Sequence, residues 1–483
     1  METIIKKSLL LVCILLAGCS TDNLIDNKEN DKTDPEKKGL TTFVSSGEAQ
    51  ESKEQKQIRT VGQYEKDNFV SQLNVSWMKG DHIWVKRENG WAQDSANSIK
   101  GDYELFYRNE QAHFYFPGVF TAPSYVVRYT GHGNATTHDK VTIASVQNQE
   151  YENQATQFGL VGDCAVGIAN KITQQGGFYY YFFKLNHKAA YITFAPYSEM
   201  KALWDISNTY IRQIKVTADK AISGTFNFTD DGIDLNSRPA TTDENKTITF
   251  NVGKGTKGFG VNPSTTKGRG YAMMVIAPGT YETFKVEYTL EDGYHNKLTF
   301  SNEYKNVTFK AGKNKFIRQH MQVSNLDAMG VSVPQRWSRH DAEYCPNVNE
   351  IVWYIEKGDP HFVDKEFYQY NDRLYYGAGV WIKKQSVIAT ENHKIVADLK
   401  AKAPDEKDYT RGGYPTSNIT GLPTGRPEKI EDYFFLRIGD YWSSTEVYNS
   451  SGNIFYLSTQ ENNKSIRISQ SGKDYSRNVW RAQ

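Results

Sequence analysis

Apolar and polar residues alternate over short stretches along most of the chain. In the clearest example, apolar side chains occupy every second position from Phe284 to Leu290, and Asp292-Gly293 then marks a turn. This period is typical of a strand that buries one face, and an Asp-Gly pair is typical of a hairpin turn. Runs of β-branched and aromatic residues predict further strands at His82 to Val85, His113 to Phe116, Phe178 to Phe183 and Ala190 to Phe194. The pattern therefore predicts a mainly β protein.

Composition agrees with β structure and gives no support for two classes of partner. Aromatic residues make up 13% of the 483 residues, and such residues favour strands. A chain of this length allows roughly three domains. The 57 Lys and Arg residues are balanced by 56 Asp and Glu residues, so there is no basic excess for binding nucleic acid or an anionic lipid surface.

Residues 1–18 have the pattern of an export signal. Two lysines precede an apolar run that is too short to span a bilayer and that ends at Leu16-Ala17-Gly18-Cys19. These four residues resemble the lipobox of bacterial lipoproteins. The resemblance implies that Cys19 receives a diacylglycerol, carries fatty acids such as palmitate and becomes the mature N-terminus. Several acyl chains would hold the protein on a membrane. The alternative is a plain signal peptide that happens to contain Cys19.

The residues after Cys19 are charged and poor in aromatic side chains. Residues 19–39 are therefore expected to form a flexible tether, because they can bury little apolar surface. They also resemble the acidic export signal of surface-exposed Bacteroidetes lipoproteins, and a mere spacer is an equal alternative.

Leu40 to Ser46 reads as an isolated strand, and the highly charged segment after it reads as an exposed loop. Proteases cut in loops of this kind, and Arg59 stands near the end of the segment. The sequence therefore predicts cleavage between Arg59 and Thr60 by a trypsin-like protease. The alternative is that Arg59 is an ordinary loop arginine.

The sequence pattern gives little support for disulfides, metals or cofactors. Cys13 is lost with the signal, and Cys164 and Cys345 lie far apart with no metal-binding spacing. His132 and His138 lie in a loop without an acidic partner pattern. No metal site and no cofactor are predicted.

Several short segments together resemble a known family. Trp77 to Ile83 matches the segment W-x-x-G-D-x-I, which is common in fimbrillin-like proteins of the Bacteroidetes. Other matching segments follow in the family's order: Phe116-Pro117, Val141 to Gln149, Phe183 to Ala189, Ile222 to Phe226, Met274 to Pro278 and Ala311 to Lys313. The resemblance covers residues 40 to 323 and implies two transthyretin-like β-sandwich domains of a type V pilin, which assembles by donor-strand exchange.

The pattern changes after Asp327. A short helix is predicted at Val348 to Glu356, and Gly377 to Trp381 reads as a Gly-rich turn into an apolar strand. Tyr441 to Glu446, with the closing segment Arg477 to Arg481, resembles the C-type-lectin-like modules at the C-terminal ends of many Bacteroidetes surface proteins. This resemblance implies an α+β module whose last strand pairs within its own domain.

The pattern and the resemblances together predict a domain order. The predicted order is a signal peptide at 1–18, a tether at 19–39, fimbrillin β-sandwiches at 40–188 and 189–326, and a C-type-lectin-like candidate adhesin domain at 327–483.

Other chemical signals are weak. Gly253 to Gly258 matches G-x-G-x-x-G, but no helix can follow it, so a loop between strands is expected. The hydroxyls of Ser443 to Thr445 are expected to satisfy nearby backbone groups. The tryptophans after residue 327 could stack on sugars, although a core role is favoured. The ligand-binding residues are left unknown.

These features predict a fimbrial subunit precursor, with a tip pilin that mediates cell adhesion as the favoured form and no enzymatic activity. It would be an outer-membrane lipoprotein first and part of a cell-surface fimbrium later. Its expected partners are other fimbrial subunits, the membrane through the lipid anchor, and a host or bacterial surface glycan or protein. The alternatives are a surface glycan-binding lipoprotein that never polymerises and a stalk subunit that carries the module as a side branch.

Overall fold

The computed structural model describes residues 39–45, 62–63, 77–99, 111–134, 136–206, 209–263, 270–450 and 452–483. Strands account for 49% and helices for 12% of the structure. The predicted mainly β class is therefore confirmed.

The described strands up to residue 187 include a broad sheet. They are β1 (Leu40–Ser45), β2 (Gly62–Gln63), β3 (Trp84–Arg87), β4 (Gly90–Gln93), β5 (Ala96–Asn97), β6 (His113–Pro117), β7 (Ser124–Tyr129), β8 (Lys140–Ile143), β9 (Val146–Gln149), β10 (Gln154–Ala155), β11 (Ala165–Thr173) and β12 (Tyr179–His187). Helical turns lie at His132–Asn134 and at α1 (Phe158–Val161). The sheet order is β4-β3-β7-β11-β12-β1-β6-β5. The core packed against this sheet is rich in aromatic residues, including Phe43, Trp77, Phe114 and Tyr181.

The middle part of the chain forms two further sheets around a second core. Its strands are β13 (Ala190–Ser198), β14 (Tyr210–Ala218), β15 (Gly224–Thr229), β16 (Gly232–Ile233), β17 (Thr247–Val252), β18 (Asn262–Pro263), β19 (Ala272–Ile276), β20 (Gly279–Glu291), β21 (Lys297–Phe309) and β22 (Asn314–His320). Short helical segments lie at Ala202–Ile206 and Leu235–Ser237. One sheet has the order β21-β20-β14-β17-β9, and in the other β13 pairs with β18, β19 and β22.

The predicted hairpin at Phe284 to Leu290 is confirmed. These residues lie in β20, which pairs with β21 in antiparallel register. Phe284, Val286, Tyr288 and Leu290 are fully buried, so the alternation in sequence corresponds to one face turned toward the core. At the turn, the Asp292 carboxylate accepts hydrogen bonds from the backbone N–H groups of Tyr294 and Asn296.

Residues 140 to 149 connect the first two cores. β8 pairs with β15, and β9 pairs with β17 in parallel register. Val141 and Ile143 are buried among residues of the second core. The predicted domain boundary between residues 188 and 189 places this segment in the first domain. Its hydrogen bonds, however, join it to strands of the second.

The last part of the chain combines helices with strands. The strands are β23 (Ser324–Asn325), β24 (Gln335–Arg336), β25 (His361–Tyr370), β26 (Arg373–Lys383), β27 (Asn418–Ile419), β28 (Tyr433–Arg437), β29 (Gly439–Glu446), β30 (Asn453–Gln460), β31 (Ser465–Gly472) and β32 (Ser476–Arg477). The helices are α2 (Arg339–Ala342), α3 (Val348–Glu356), α4 (Gln385–Glu391) and α5 (Val396–Ala401), with helical turns at Asp327–Met329 and Ile430–Asp432.

The predicted helix at Val348 to Glu356 is confirmed as α3. Asn347 and Glu350 form a capping box, in which each side chain accepts a hydrogen bond from the other residue's backbone N–H group. The box satisfies two donors that the first helical turn leaves open. The apolar strand predicted at Gly377 to Trp381 is confirmed, because these residues lie in β26. The turn predicted at its start is wrong, because β26 already begins at Arg373.

The last part of the chain packs directly against the middle part. Met321 and Val323, between β22 and β23, are buried. Phe367 in β25 belongs to the second core, and the Arg426 guanidinium lies 5.7 Å from the Phe300 ring centroid. The two parts therefore share side-chain contacts as well as a short connection.

Candidate functional site

Strand β1 lies inside the first sheet. It pairs with β12 in parallel register from Phe43 opposite Tyr181, and with β6 in antiparallel register from Leu40 opposite Pro117. A strand bonded on both sides contributes two ladders of backbone hydrogen bonds. Loss of β1 would expose two strand edges at once.

The Phe43 side chain is the main apolar contact of β1. Phe43 is fully buried, and its ring centroid lies 4.7 Å from that of Tyr181 and 4.9 Å from that of Phe116. The rings of Phe120 and Tyr125 lie at 5.1 and 6.3 Å. Aromatic pairs in this range stabilise a core beyond the area that they bury. All four surrounding rings come from outside β1.

The Ser45 hydroxyl is the main polar contact of β1. It accepts hydrogen bonds from Trp77 Nε1–H at 2.8 Å and from the Ala112 backbone N–H at 2.9 Å. It also donates to the Ala112 carbonyl at 3.3 Å. Ser45 and Trp77 are each 3% exposed, so this hydroxyl satisfies buried polar groups. Sequence reasoning missed the contact, because the two residues lie in different segments with no local signal joining them.

The segment from Trp77 to Ile83 has a structural role beside β1. The buried Asp81 carboxylate accepts hydrogen bonds from the Tyr129 hydroxyl at 2.8 Å and from the Met78 backbone N–H at 2.7 Å. Burial and the nearby Asp81 charge raise the pKa of Tyr129. The Asp81 contacts fix the turn that carries Trp77 toward Ser45.

A second buried polar cluster connects the first two cores. Asp163 Oδ1 lies 2.8 Å from His187 Nδ1 and also accepts a hydrogen bond from the Tyr191 hydroxyl. Burial and the Asp163 charge raise the pKa of the Tyr191 hydroxyl and of the Cys164 thiol. A buried thiol with a raised pKa is a poor nucleophile. The cluster therefore connects the first two cores through buried hydrogen bonds.

The three site residues predicted from the sequence cannot be placed. Cys19, Arg59 and Thr60 lie outside the described residues. Their roles in lipid attachment and proteolytic processing stay predictions.

The segment from Ser476 onward is bound within the last part of the chain, as predicted for Arg477 to Arg481. β32 pairs with β24, and Trp480 is fully buried with its Nε1–H donating to the Trp442 carbonyl at 2.8 Å. The Gln483 backbone N–H donates to the Tyr354 hydroxyl at 2.9 Å. These contacts hold residues 476–483 within the last part of the chain.

The other tryptophans after residue 327 are mostly core residues. Trp353, Trp381 and Trp442 are at most 3% exposed, and Trp337 donates its Nε1–H to the Ser443 carbonyl at 3.0 Å. The expected core role is confirmed for Trp353, Trp381 and Trp442, and Trp337 is partly buried against the same core. The Ser443 and Thr445 hydroxyls accept hydrogen bonds from backbone N–H groups, as expected.

The remaining weak signals have structural explanations. Gly253 to Gly258 follows β17 and forms a turn with a Lys254–Lys257 bridge, without a helix. The His138 ring stacks on Trp91 with centroids 5.2 Å apart. Within the described ranges, no group of three or more His, Cys, Asp or Glu residues could hold a metal ion. In the same part of the chain, no helix has both the length and the apolar character needed to cross a membrane.

Comparisons with known proteins give distant structural likenesses. No family model matches the chain, and no curated protein matches it. A candidate cell adhesion protein from Bacteroides fragilis is similar over 56% of this chain and 94% of its own, with 8% identity and a TM-score of 0.30. A candidate cell adhesion protein from Bacteroides uniformis is similar over 59% and 94%, with 15% identity and a TM-score of 0.30.

A fimbrial protein from Bacteroides ovatus is similar over 88% of this chain and 98% of its own, with 9% identity and a TM-score of 0.20. Likenesses at this level do not assign the chain to a family.

Proposed function

We propose that this chain is the precursor of a fimbrial subunit that mediates cell adhesion and is assembled by protease-triggered strand exchange. The observation that carries the proposal is the position of β1 between β12 and β6, ahead of a charged segment that contains Arg59. The distantly similar Bacteroides proteins are described as candidate cell adhesion proteins and a fimbrial protein, which is the same kind of role.

Cleavage after Arg59 would leave β1 attached by non-covalent contacts alone. Its departure would open unpaired backbone groups on β6 and β12 and empty the aromatic pocket around Phe43. Such an edge strongly favours pairing with another extended segment. A strand donated by a neighbouring subunit would restore both hydrogen-bond ladders and fill the pocket.

Cys19 is the proposed attachment point of the precursor. Acylation at Cys19 would hold the chain on the outer membrane until the chain is cleaved after Arg59 and β1 then leaves the sheet. Cys19 and β1 lie on the same side of Arg59. The departure of β1 would therefore also release the remaining chain from the lipid.

The tip is the proposed position in the fimbrium. Residues 476–483 are bound inside their own module, so this segment is not available to fill a neighbour's groove. A heterologous polymer grows through a donor and an acceptor on each added subunit. A subunit that accepts a strand and presents a packed module outward suits the terminal position, where the module meets other cells first.

One experiment tests strand exchange in assembled fimbriae. A photo-crosslinking residue in place of Tyr181, which faces β1, is expected to capture a different subunit in isolated filaments. The same substitution in the uncleaved precursor is expected to capture residues 40–45 of its own chain. Capture of the chain's own β1 in mature filaments would contradict the proposal.

A non-polymerising, anchored surface protein is the second candidate. The complete β1 pairing and the bound segment 476–483 are also compatible with a chain that never exchanges strands. In that case, the protein would remain lipid-bound at the cell surface, no shorter form would appear, and no crosslink to another subunit would form.

A further inference from the structure

We propose that the β1 groove selects its incoming strand by two side chains: an aromatic ring at the Phe43 position and a Ser or Thr hydroxyl at the Ser45 position. This inference rests on the proposed strand exchange and states what the donated segment must contain.

The aromatic requirement follows from the walls of the pocket. Phe116, Phe120, Tyr125 and Tyr181 surround Phe43, and none of them belongs to β1. The Tyr181 hydroxyl donates toward the Phe120 and Ala122 carbonyls at 3.0 and 2.7 Å, which fixes one wall independently of β1. A smaller side chain would leave a cavity among these rings, and cavities in a packed interior are costly.

The hydroxyl requirement follows from the polar groups that meet Ser45. Trp77 Nε1–H and the Ala112 N–H both donate to its oxygen, and the Ala112 carbonyl accepts its proton. An apolar side chain would remove all three hydrogen bonds in a buried place, where desolvated polar groups are costly. A longer polar side chain would have to displace Trp77, which is buried with its ring centroid 4.9 Å from that of Phe114.

The two requirements lie on the same face of the strand. Residues two apart point to one side of a sheet, so Phe43 and Ser45 both face the core while Thr42 lies on the opposite side. The partner is therefore an extended segment with an aromatic residue followed, or preceded, by Ser or Thr at a spacing of two. The Thr42 position is expected to tolerate substitution.

The test uses the full chain with a recognition site for a sequence-specific protease placed within residues 46–61. After cleavage, the released segment that contains β1 is removed in denaturant and the remaining chain is refolded. This chain is then titrated into a labelled peptide with the sequence of residues 39–47, and binding is measured by fluorescence polarisation. The unchanged peptide is compared with peptides carrying Phe43→Ala, Ser45→Ala or the control Thr42→Val.

We expect the Phe43→Ala peptide to bind at least about 100-fold more weakly and the Ser45→Ala peptide about tenfold more weakly. The Thr42→Val control should stay within about threefold of the unchanged peptide. Equal binding of all four peptides would overturn the proposed selection at the Phe43 and Ser45 positions. It would not contradict strand exchange. No binding of the unchanged peptide to the cleaved chain would overturn strand exchange itself.

A second measurement separates the hydroxyl contact from a general loss of packing. In a cleaved chain that carries Trp77→Phe, the Ser45→Ala peptide should lose less affinity relative to the unchanged peptide, because the indole donor is gone. The same relative loss in both chains would contradict the assigned hydrogen bond. Circular dichroism of the cleaved Trp77→Phe chain checks that it is folded.

Discussion

Trp77 Nε1 lies 2.8 Å from the Ser45 hydroxyl oxygen, and Arg59 stands between these two residues in the sequence. The hydrogen bond therefore joins the two sides of the proposed cleavage site. While the chain is uncleaved, both partners belong to one molecule and their encounter is intramolecular. If the chain is cleaved as proposed, the same contact would become available to a strand from another molecule.

The first prediction concerns the stability of the precursor. Phe43→Ala should lower the free energy of unfolding by about 3 to 5 kcal/mol, because the substitution leaves a cavity among four aromatic rings. Denaturant unfolding of the full chain measures this change. Thr42→Ala, on the opposite face of β1, is the control and should change stability by less than about 1 kcal/mol. A similar effect of both substitutions would contradict the special role of Phe43.

The second prediction concerns lipid attachment. Cys19→Ala should leave the precursor uncleaved by the signal peptidase and without a lipid, because the thiol that accepts the diacylglycerol is missing. Metabolic labelling with a fatty-acid analogue measures attachment, and Cys13→Ala is the control that should retain the label. Label that persists in Cys19→Ala would place the lipid elsewhere.

The third prediction concerns processing. Mature protein from fimbriae should begin at Thr60, and Arg59→Ala should retain β1 and block incorporation, because a trypsin-like protease requires a basic residue before the cut. N-terminal sequencing and immunoblotting measure both effects. Lys56→Ala is the matched control and should be processed normally. A mature terminus at any other residue would show that Arg59 is the wrong site.

The fourth prediction concerns position in the filament. Antibodies against residues 327–483 should place single gold particles at filament ends, because the segment 476–483 is held inside its own module. Electron microscopy of immunogold-labelled fimbriae measures the distribution. Gold along whole filaments would support a decorated stalk subunit instead, and an antibody against a major stalk protein serves as the positive control for labelling along the length.

The fifth prediction concerns pH. The hydrogen bond from His82 to Asp94 raises the pKa of His82 against the opposing effect of burial. A pKa raised by folding adds stability that is complete below the unfolded value of about 6.5 and is lost as the pH rises through the folded value. Because His82 is partly exposed, the contribution should be below about 1 kcal/mol.

The free energy of unfolding, measured between about pH 5 and about pH 9, checks this sign. The difference between the wild-type chain and His82→Gln should shrink as the pH rises. A difference that grows with pH would contradict the assigned role of Asp94.

Local patterns predicted the elements that depend on neighbouring residues. The β20 and β21 hairpin follows from the alternation of apolar and polar residues and from the Asp292-Gly293 turn. The α3 helix follows from the local sequence at its start, where Asn347 and Glu350 form the capping box. In both cases the hydrogen bonds that define the element join residues close in sequence.

Features that depend on distant residues were not predictable from these patterns. Gly379 was expected in a turn, but it lies in β26, where an added Cβ would come within 2.2 Å of the Phe435 ring. Glycine is needed at this position for close packing, and the sequence alone does not distinguish that need from a turn. The pairing of β1 with β12 and the cluster of Asp163 with His187 also join residues with no local signal.

The parallel pairing of β13 and β22 has a mechanical consequence. β13 is entered from the first sheet at its N-terminal end, whereas β22 leads into the C-terminal module at its C-terminal end, and the two strands pair from Tyr191 opposite Asn314 to Tyr197 opposite His320. A pull on the module against the first sheet would load this pair along its length, from opposite ends. The hydrogen bonds between the strands would then be loaded in shear. They would bear the force together and would not break one after another.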